Sequence, residues 1–349
     1  MHLRKLLLAV AIILIGFLSS CEESVDPTAK EFKIGMMAEK FGDSSYNDSC
    51  KNGVQDAVKK LSDSLHQTYN FIAEYKEGVA DSIMKANANY FIKNNFDLLF
   101  FTGFHFDKYA QELAQNQVAG AKTKFVIIDT ESETMHQNVE GIIFDVQEAA
   151  FPLGYLAAYW ADLKSPNNPK TATICGYDSK TLKSFYIAFE NGVKYYNSKY
   201  GKNVQNQTVF SNTFLDEEVG KNIANNLIDN GVSVIFNVAG ECGVGAMKAV
   251  KARNKWAIGV DEDQYLSRSE VASVLLSSCI KDTRNAIYEI AVNAMKGKFN
   301  GGQIYKANLE NTGVRIAPFH DYENQIPANI KSEINAIISE IKSGKIKTI

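Results

Sequence analysis

The sequence predicts an α/β protein of two similar lobes, each a mainly parallel sheet flanked by helices. Three observations lead there. Short, continuously apolar runs have the character of strands covered on both faces. Amphipathic stretches with helical spacing alternate with them, which is the succession of a βαβ fold. The pattern then restarts near the middle of the chain, and 349 residues with 45% hydrophobic content suffice for two such cores.

The first residues stand outside that fold. Arg4 and Lys5 precede the apolar run Leu6 to Leu18, too short to span a bilayer but suited to a secretory signal peptide over residues 1–20. Leu18-Ser-Ser-Cys21 resembles a bacterial lipobox, in which Cys21 is acylated and becomes the mature N-terminus. A lipoprotein anchored in the cell envelope, outside the cytoplasm, is expected. Residues 21–31 are polar and lack periodicity, so they read as its tether.

Past the tether, FKIGMM (32–37), FDLLFF (96–101) and FVIID (125–129) read as strands. Residues 46–61 read as a helix with Val54, Ala57, Val58 and Leu61 on one face. A helix near 149–163 and the turn SPNNP (165–169) precede the restart. TATIC (171–175), VSVIFNV (232–238) and WAIGV (256–260) are the new strands, with helices at 182–196 and 217–228. SVLLSS (273–278) leads into a helix over 282–295. The segment 329–345 closes the chain as a helix with Ile330, Ile334, Ile337, Ile338 and Ile341 on one side.

In open parallel sheets ligands sit beyond the carboxyl ends of the strands, so the residues following each strand are the candidates. Asp43 suits a helix cap, while Tyr46 and Asn47 in the first turn would face the crevice. Asp129, Asp261 and Asp263 follow strands. One such carboxylate is ordinarily a turn residue, but several converging on one crevice suggest more. Phe214 precedes Asp216, the expected cap of the next helix, and Lys281 ends SVLLSSCIK. The cluster Gly240-Glu-Cys-Gly243-Val-Gly245 also follows a strand. Its order is not the dinucleotide G-x-G-x-x-G, and Glu241 stands where a pyrophosphate would approach. Backbone N–H groups at that helix start suit a base or sugar edge better than a phosphate.

Several chemistries find no support. Gly176 to Thr181 superficially resembles a P-loop but lacks the glycine before its lysine, and there is no G-x-S-x-G elbow. His66, His105, His136 and His320 are scattered without metal spacing, so no metal, cofactor or catalytic residue is expected. Loss of Arg4 and Lys5 with the signal takes the formal charge from −3 to about −5, and no basic cluster suits nucleic acid. Cys50, Cys175, Cys242 and Cys279 form no CxxC pair. Buried free thiols are the expectation, although an oxidising compartment permits disulfides.

GDSSYNDSCKNG (42–53) resembles the Asp-Lys-Ser-Phe-Asn signature of the basic membrane protein family, bacterial lipoproteins that include the purine nucleoside receptors of ABC transporters. VIFNVAGECGVG and WAIGVDEDQ are similar to its Val-Ala-Gly-Gly-Thr-Gly and Ile-Gly-Val-Asp-Ser-Asp-Gln stretches. The similarity continues through FVIIDTE, TFLDEEVGKNIANNLIDNGVSVIF and SVLLSSCIKD to KGKFNGGQIYKANLENTGV, covering most of residues 32–316.

The resemblance implies a class I periplasmic-binding-protein fold, two Rossmann-like lobes joined by three crossovers. Residues 32–146 plus 280–310 would form the N-terminal lobe, and 147–279 plus 311–349 the C-terminal lobe. It implies a monomeric binding protein, not an enzyme, that captures a nucleoside, a purine for preference, and passes it to an ABC permease. A riboflavin or sugar receptor of the same fold, or a nucleoside-processing enzyme, are the alternatives. By motif position Tyr46 and Phe214 would sandwich the base, and Asp43, beside Tyr46, would also bind the ligand. Asn47 and Asp129 would bond the base edge, and Gly240, Asp261 and Lys281 would engage ribose or the adjoining polar edge. Tyr46 stands for the usual phenylalanine, Ser44 for a common lysine, and Glu241-Cys242 for Gly-Thr. The last change leaves ligand identity open, because Glu241 could add an acceptor or narrow the pocket.

Overall fold

The computed structural model describes residues 29–349 apart from 44, 66–67 and 117–121. The leader, Cys21, Ser44 and His66 therefore lie outside the described residues. The first part of the chain forms β1 (Lys30–Ala38), α1 (Tyr46–Leu65), β2 (Tyr69–Glu77), α2 (Asp81–Lys93), β3 (Leu98–Thr102), α3 (Asp107–Gln115), β4 (Lys124–Ile128) and β5 (Val139–Phe144). Then come α4 (Gln147–Lys164), β6 (Lys170–Cys175), α5 (Lys180–Tyr200), β7 (Gln205–Phe210), α6 (Glu217–Asp229), β8 (Val234–Val238), α7 (Gly240–Ala252), β9 (Trp256–Asp261), α8 (Gln264–Ser267) and β10 (Leu275–Lys281). The chain ends with α9 (Thr283–Met295), β11 (Ile304–Ala307), β12 (Val314–Ile316) and α10 (Ala328–Lys342).

These strands make two six-stranded sheets. The first has the order β11-β5-β4-β3-β1-β2 with every neighbour parallel. The second repeats the plan as β12-β10-β9-β8-β6-β7, antiparallel only where β12 closes its edge. The chain leaves the first sheet after β5, returns for β11, and goes back for β12. That is three passages between two α/β sheets, the architecture expected.

Central strands are apolar because helices cover both faces: every residue of β3 and β8 is buried. The strand SVLLSS begins later than its apolar run, since residues 272–274 form a 3-10 turn and β10 extends to Lys281. Asp216 caps α6 by accepting from the N–H groups of Glu218 (3.0 Å) and Val219 (3.2 Å), as its position predicts. The four described cysteines are buried free thiols on α1, β6, α7 and β10.

Two helix pairs pack backbone to backbone through glycine. A Cβ on Gly154 of α4 would fall on the Phe189 carbonyl of α5, and one on Gly192 of α5 would fall on the Phe151 carbonyl of α4. Gly220 of α6 faces the Cys242 carbonyl, and Gly245 of α7 faces the Glu217 carbonyl, in the same manner. Gly243 abuts Asn237 of β8. Gly245, the last glycine of the cluster after β8, therefore serves close packing of α7 on α6, not an open loop.

Two stability measurements follow. Gly192→Ala pushes a methyl into rigid backbone and should destabilise the fold by about 1–3 kcal/mol, read by denaturant titration. Glu140 on β5 is 2% exposed, and burial pushes its carboxyl up to about 7 despite hydrogen bonds from Asn300. The fold therefore favours the protonated acid. Its stabilising effect is complete below the unfolded value and is lost as pH rises through about 7. Glu140→Gln should remove roughly 2–3 kcal/mol of that loss at pH 8 and change little at pH 4. Thermal melts of both proteins at the two pH values decide it.

Candidate functional site

A cleft lies between the carboxyl ends of the two sheets. It holds about 760 Å³ of space free of protein atoms, part of it continuous with solvent. Asp43, Tyr46, Asn47, Asp129, Phe214, Gly240, Asp261 and Lys281 all border it. The eight come from strand ends and helix starts of both sheets, where the α/β rule puts ligands.

Lys281 forms the floor. It ends β10, is 4% exposed, and donates to Asp129 Oδ2 at 2.5 Å, with Asp261 Oδ1 3.7 Å away. Its ammonium also sits over the rings of Tyr46, Phe185 and Phe144, 5.0, 5.1 and 5.6 Å from their centroids. Burial pulls the lysine pKa down, but Asp129 and Asp261 outweigh it and hold the value above the ordinary one. Asp129 follows β4 and Asp261 ends β9, so the ion pair of Lys281 with Asp129 joins the two sheets. Both aspartates take left-handed backbone, with φ of 61° and 66°. Aspartate tolerates that region better than most residues, and such turns aim both carboxylates back into the cleft.

Asp261 is the stressed member. Burial pushes its carboxyl up to about 6 against the opposing pull of Lys281, and Ser45 donates to its Oδ2 at 3.3 Å. Asp263 takes no part, because it turns away to pair with His320 at 2.8 Å. Gln264 likewise braces β9 from behind, accepting from the Val260 N–H.

The start of α1 supplies the next wall. Asp43 caps it with both oxygens: Oδ1 accepts from the N–H groups of Ser45 and Asp48, and Oδ2 accepts from the Asn47 N–H and amide, all at 3.0 Å. A carboxylate has about four acceptor sites, so Asp43 is committed to the helix start. Asn47 is fixed by that amide bond and by Thr102 Oγ1, which donates to its Oδ1 at 2.9 Å. Among the described residues the second amide hydrogen takes no partner. The Tyr46 hydroxyl donates to the Ile128 carbonyl at 3.2 Å, which orients the ring, and burial holds its pKa well above the ordinary phenol value.

Opposite stand Phe214 and Gly240. The Phe214 ring lies where Gly176 lacks a side chain and meets Tyr177 edge-on, with centroids 5.1 Å apart. The stretch resembling a P-loop is thus the seat of an aromatic ring and the start of α5, capped by Ser179. Gly240 has φ of 56° and comes close to the Phe214 carbonyl, so both conformation and space require glycine there. Glu241 enters the cleft paired with Arg268, at 2.6 Å.

The cleft also recruits residues that sequence reasoning passes over. Phe104 and His105 follow β3, and the strand-end rule applied there would have found them. Thr181, Leu182 and Phe185 come from α5, where apolar residues look like any core face. Among the described residues no group of three or more His, Cys, Asp or Glu is placed to hold a metal, and no helix is long and apolar enough to cross a membrane.

Residues 33–347 match the model of a family described as PnrA-like ABC transporter substrate-binding proteins. The chain is 26% identical to a Listeria monocytogenes protein called CD4+ T-cell-stimulating antigen, over 99% of each chain. It is also 26% identical to the ABC transporter nucleoside-binding protein BmpA of Lactococcus lactis, over 97% of this chain and 96% of that one. A solute-binding protein of an ABC transporter system from Aeropyrum pernix has the same fold, with a TM-score of 0.77 at 23% identity over 90% of this chain and 92% of that one. With nearly all of its described length matched, the chain belongs to the Bmp family of PnrA-like ABC transporter substrate-binding proteins, and it binds its ligand rather than transforming it.

Proposed function

We propose that the protein is a lipid-anchored receptor that captures a nucleoside, a purine for preference, and delivers it to an ABC permease. The observation that carries this reading is one cleft bordered by two aromatic rings, Tyr46 and Phe214, above a buried set of Asp129, Asp261 and Lys281. Aromatic faces hold a base by stacking, and carboxylates accept hydrogen bonds from ribose hydroxyls strongly in a desolvated site. Asn47 keeps one amide hydrogen for a base edge, and Asp129 keeps lone pairs beyond the one given to Lys281. Asp43 acts as a positioning residue through its hold on α1. The Lactococcus lactis relative carries the nucleoside-binding description over nearly its whole length, which supports the same ligand class. The lipobox-like Leu18-Ser-Ser-Cys21 supports acylation at Cys21. Ligand contacts from both lobes, 32–146 with 282–310 and 147–281 with 311–349 once β10 is kept whole in the second sheet, couple capture to closure, the shape a permease reads.

Calorimetric titration of the soluble chain, stripped of ligand by unfolding and refolding, tests the reading with inosine, guanosine, adenosine, cytidine, riboflavin and ribose. Tight binding of a purine nucleoside with ribose silent is expected; silence for every nucleoside in refolded protein rejects it. Tyr46→Ala and Phe214→Ala should each weaken inosine binding by about 1–3 kcal/mol, with the circular dichroism spectrum retained. Asp261→Asn should weaken it as well. Since Asp261 titrates near 6, wild-type affinity should fall as pH drops from 8 to 5, by at most about tenfold per unit, and the Asn variant should flatten that slope.

A further inference from the structure

Arg268 follows α8 and stands behind the cleft lining, where it touches two residues that border the cleft, Glu241 and Asp43. Its Nη2 donates to Glu241 Oε1 at 2.6 Å and also to the backbone carbonyl of Asp43. The two contacts tie the start of α7 to the start of α1, across the cleft. The side chains are 12% and 21% exposed, so this is a largely desolvated ion pair. Among the described residues the Arg268 Nε is buried without a partner, and its Nη1 has the looser Glu270 carboxylate at 3.6 Å. Glu241 is the nearest of the carboxylates that compensate this guanidinium, with Glu270 farther off.

Position 241 is also where the sequence departs from the glycine of the resembling family stretch. Glycine there would free Arg268 Nη2 from its nearest carboxylate, one residue layer behind the cleft and beside the N-terminal end of α7, whose dipole favours an anion. Glutamate reverses that character. It places its own carboxylate at the helix end and occupies the guanidinium. Lys281, the cationic side chain among the described residues lining the cleft, is already matched by Asp129 and Asp261. A phosphate entering would meet carboxylates of Glu39, Asp129, Glu241 and Asp261 with no uncompensated cation.

We propose that Glu241 sets the selectivity of this cleft against phosphorylated ligands: by holding Arg268 it withholds the guanidinium that a phosphate would use and closes the mouth between α1 and α7. This deepens the nucleoside reading and rests on it. Arg268 is a positioning residue in the wild-type protein and becomes an anion-binding residue when Glu241 is removed.

The test is titration of inosine and inosine 5′-monophosphate, at pH 8, into the wild type, Glu241→Gln, Glu241→Gly and the double variant Glu241→Gln with Arg268→Met. The readout is the ratio of the two dissociation constants, in which a general loosening of the pocket cancels. The wild type should prefer inosine by about a hundredfold or more, and either single variant should shrink that preference about tenfold or more. Removing Arg268 in the double variant should restore it. An unchanged ratio in both single variants, a gain that survives without Arg268, or a wild type that takes both ligands equally overturns the inference while leaving the nucleoside reading intact. A wild type silent for every nucleoside removes both; where it binds another nucleoside than inosine, that nucleoside and its 5′-monophosphate replace the inosine pair.

Discussion

The structure is organised around one buried charge. An ammonium as deeply placed as Lys281 is tolerated only with partners, because desolvating it alone costs several kcal/mol. Its partners come from both sheets: Asp129 beyond β4 and Asp261 at the end of β9. The two aspartates occupy corresponding places in two sheets of the same strand order, and both use left-handed backbone to face the lysine. Three aromatic rings complete the enclosure, and one of them is the Tyr46 wall of the cleft. Satisfying Lys281 therefore fixes the floor and part of one wall together.

The remaining walls are set by helix starts. Asp43 spends its carboxylate on the first turn of α1, which is what points Asn47 and Tyr46 inward. On the other side, glycines let α6 and α7 touch backbone to backbone, so that Gly240 and Glu241 arrive at the cleft. Rigid packing behind the site and balanced charge within it serve the same end: a pocket whose donors and acceptors are in place before a ligand arrives. Within that balance burial pushes the Asp261 carboxyl up to about 6, while Lys281 pulls it the other way.

Much of the fold is legible as apolar runs because its central strands are covered on both faces. That criterion finds β1, β3, β4, β6, β8, β9 and β10; it passes over the buried β5, whose apolar run Glu140 and Gly141 interrupt, and also over β2 and β7. Those two lie at the ends of their sheets, where YNFIAEYKE and QNQTVF are only partly buried and mix polar with apolar residues. The short β11 and β12 carry too few residues to show a period. All eight named site residues meet in one cleft because strand ends of parallel sheets converge by topology, which sequence order reveals. Phe185 escapes notice, since its spacing on α5 is that of an ordinary core residue.

The sequence by itself determined which residues stand at strand ends and helix starts, and hence which side chains could reach a common crevice. Tertiary structure decided what they do there. Lys281 meets Asp129 from 152 positions away, and Arg268 bridges Glu241 to the Asp43 carbonyl 225 positions away. Gly245, one of a cluster that suggests a ligand loop, instead lets two helices touch. Such roles depend on distance between segments remote in the chain. Local propensity and periodicity carry no information about it, because the charges and backbones that must compensate one another become neighbours only when the two sheets pack.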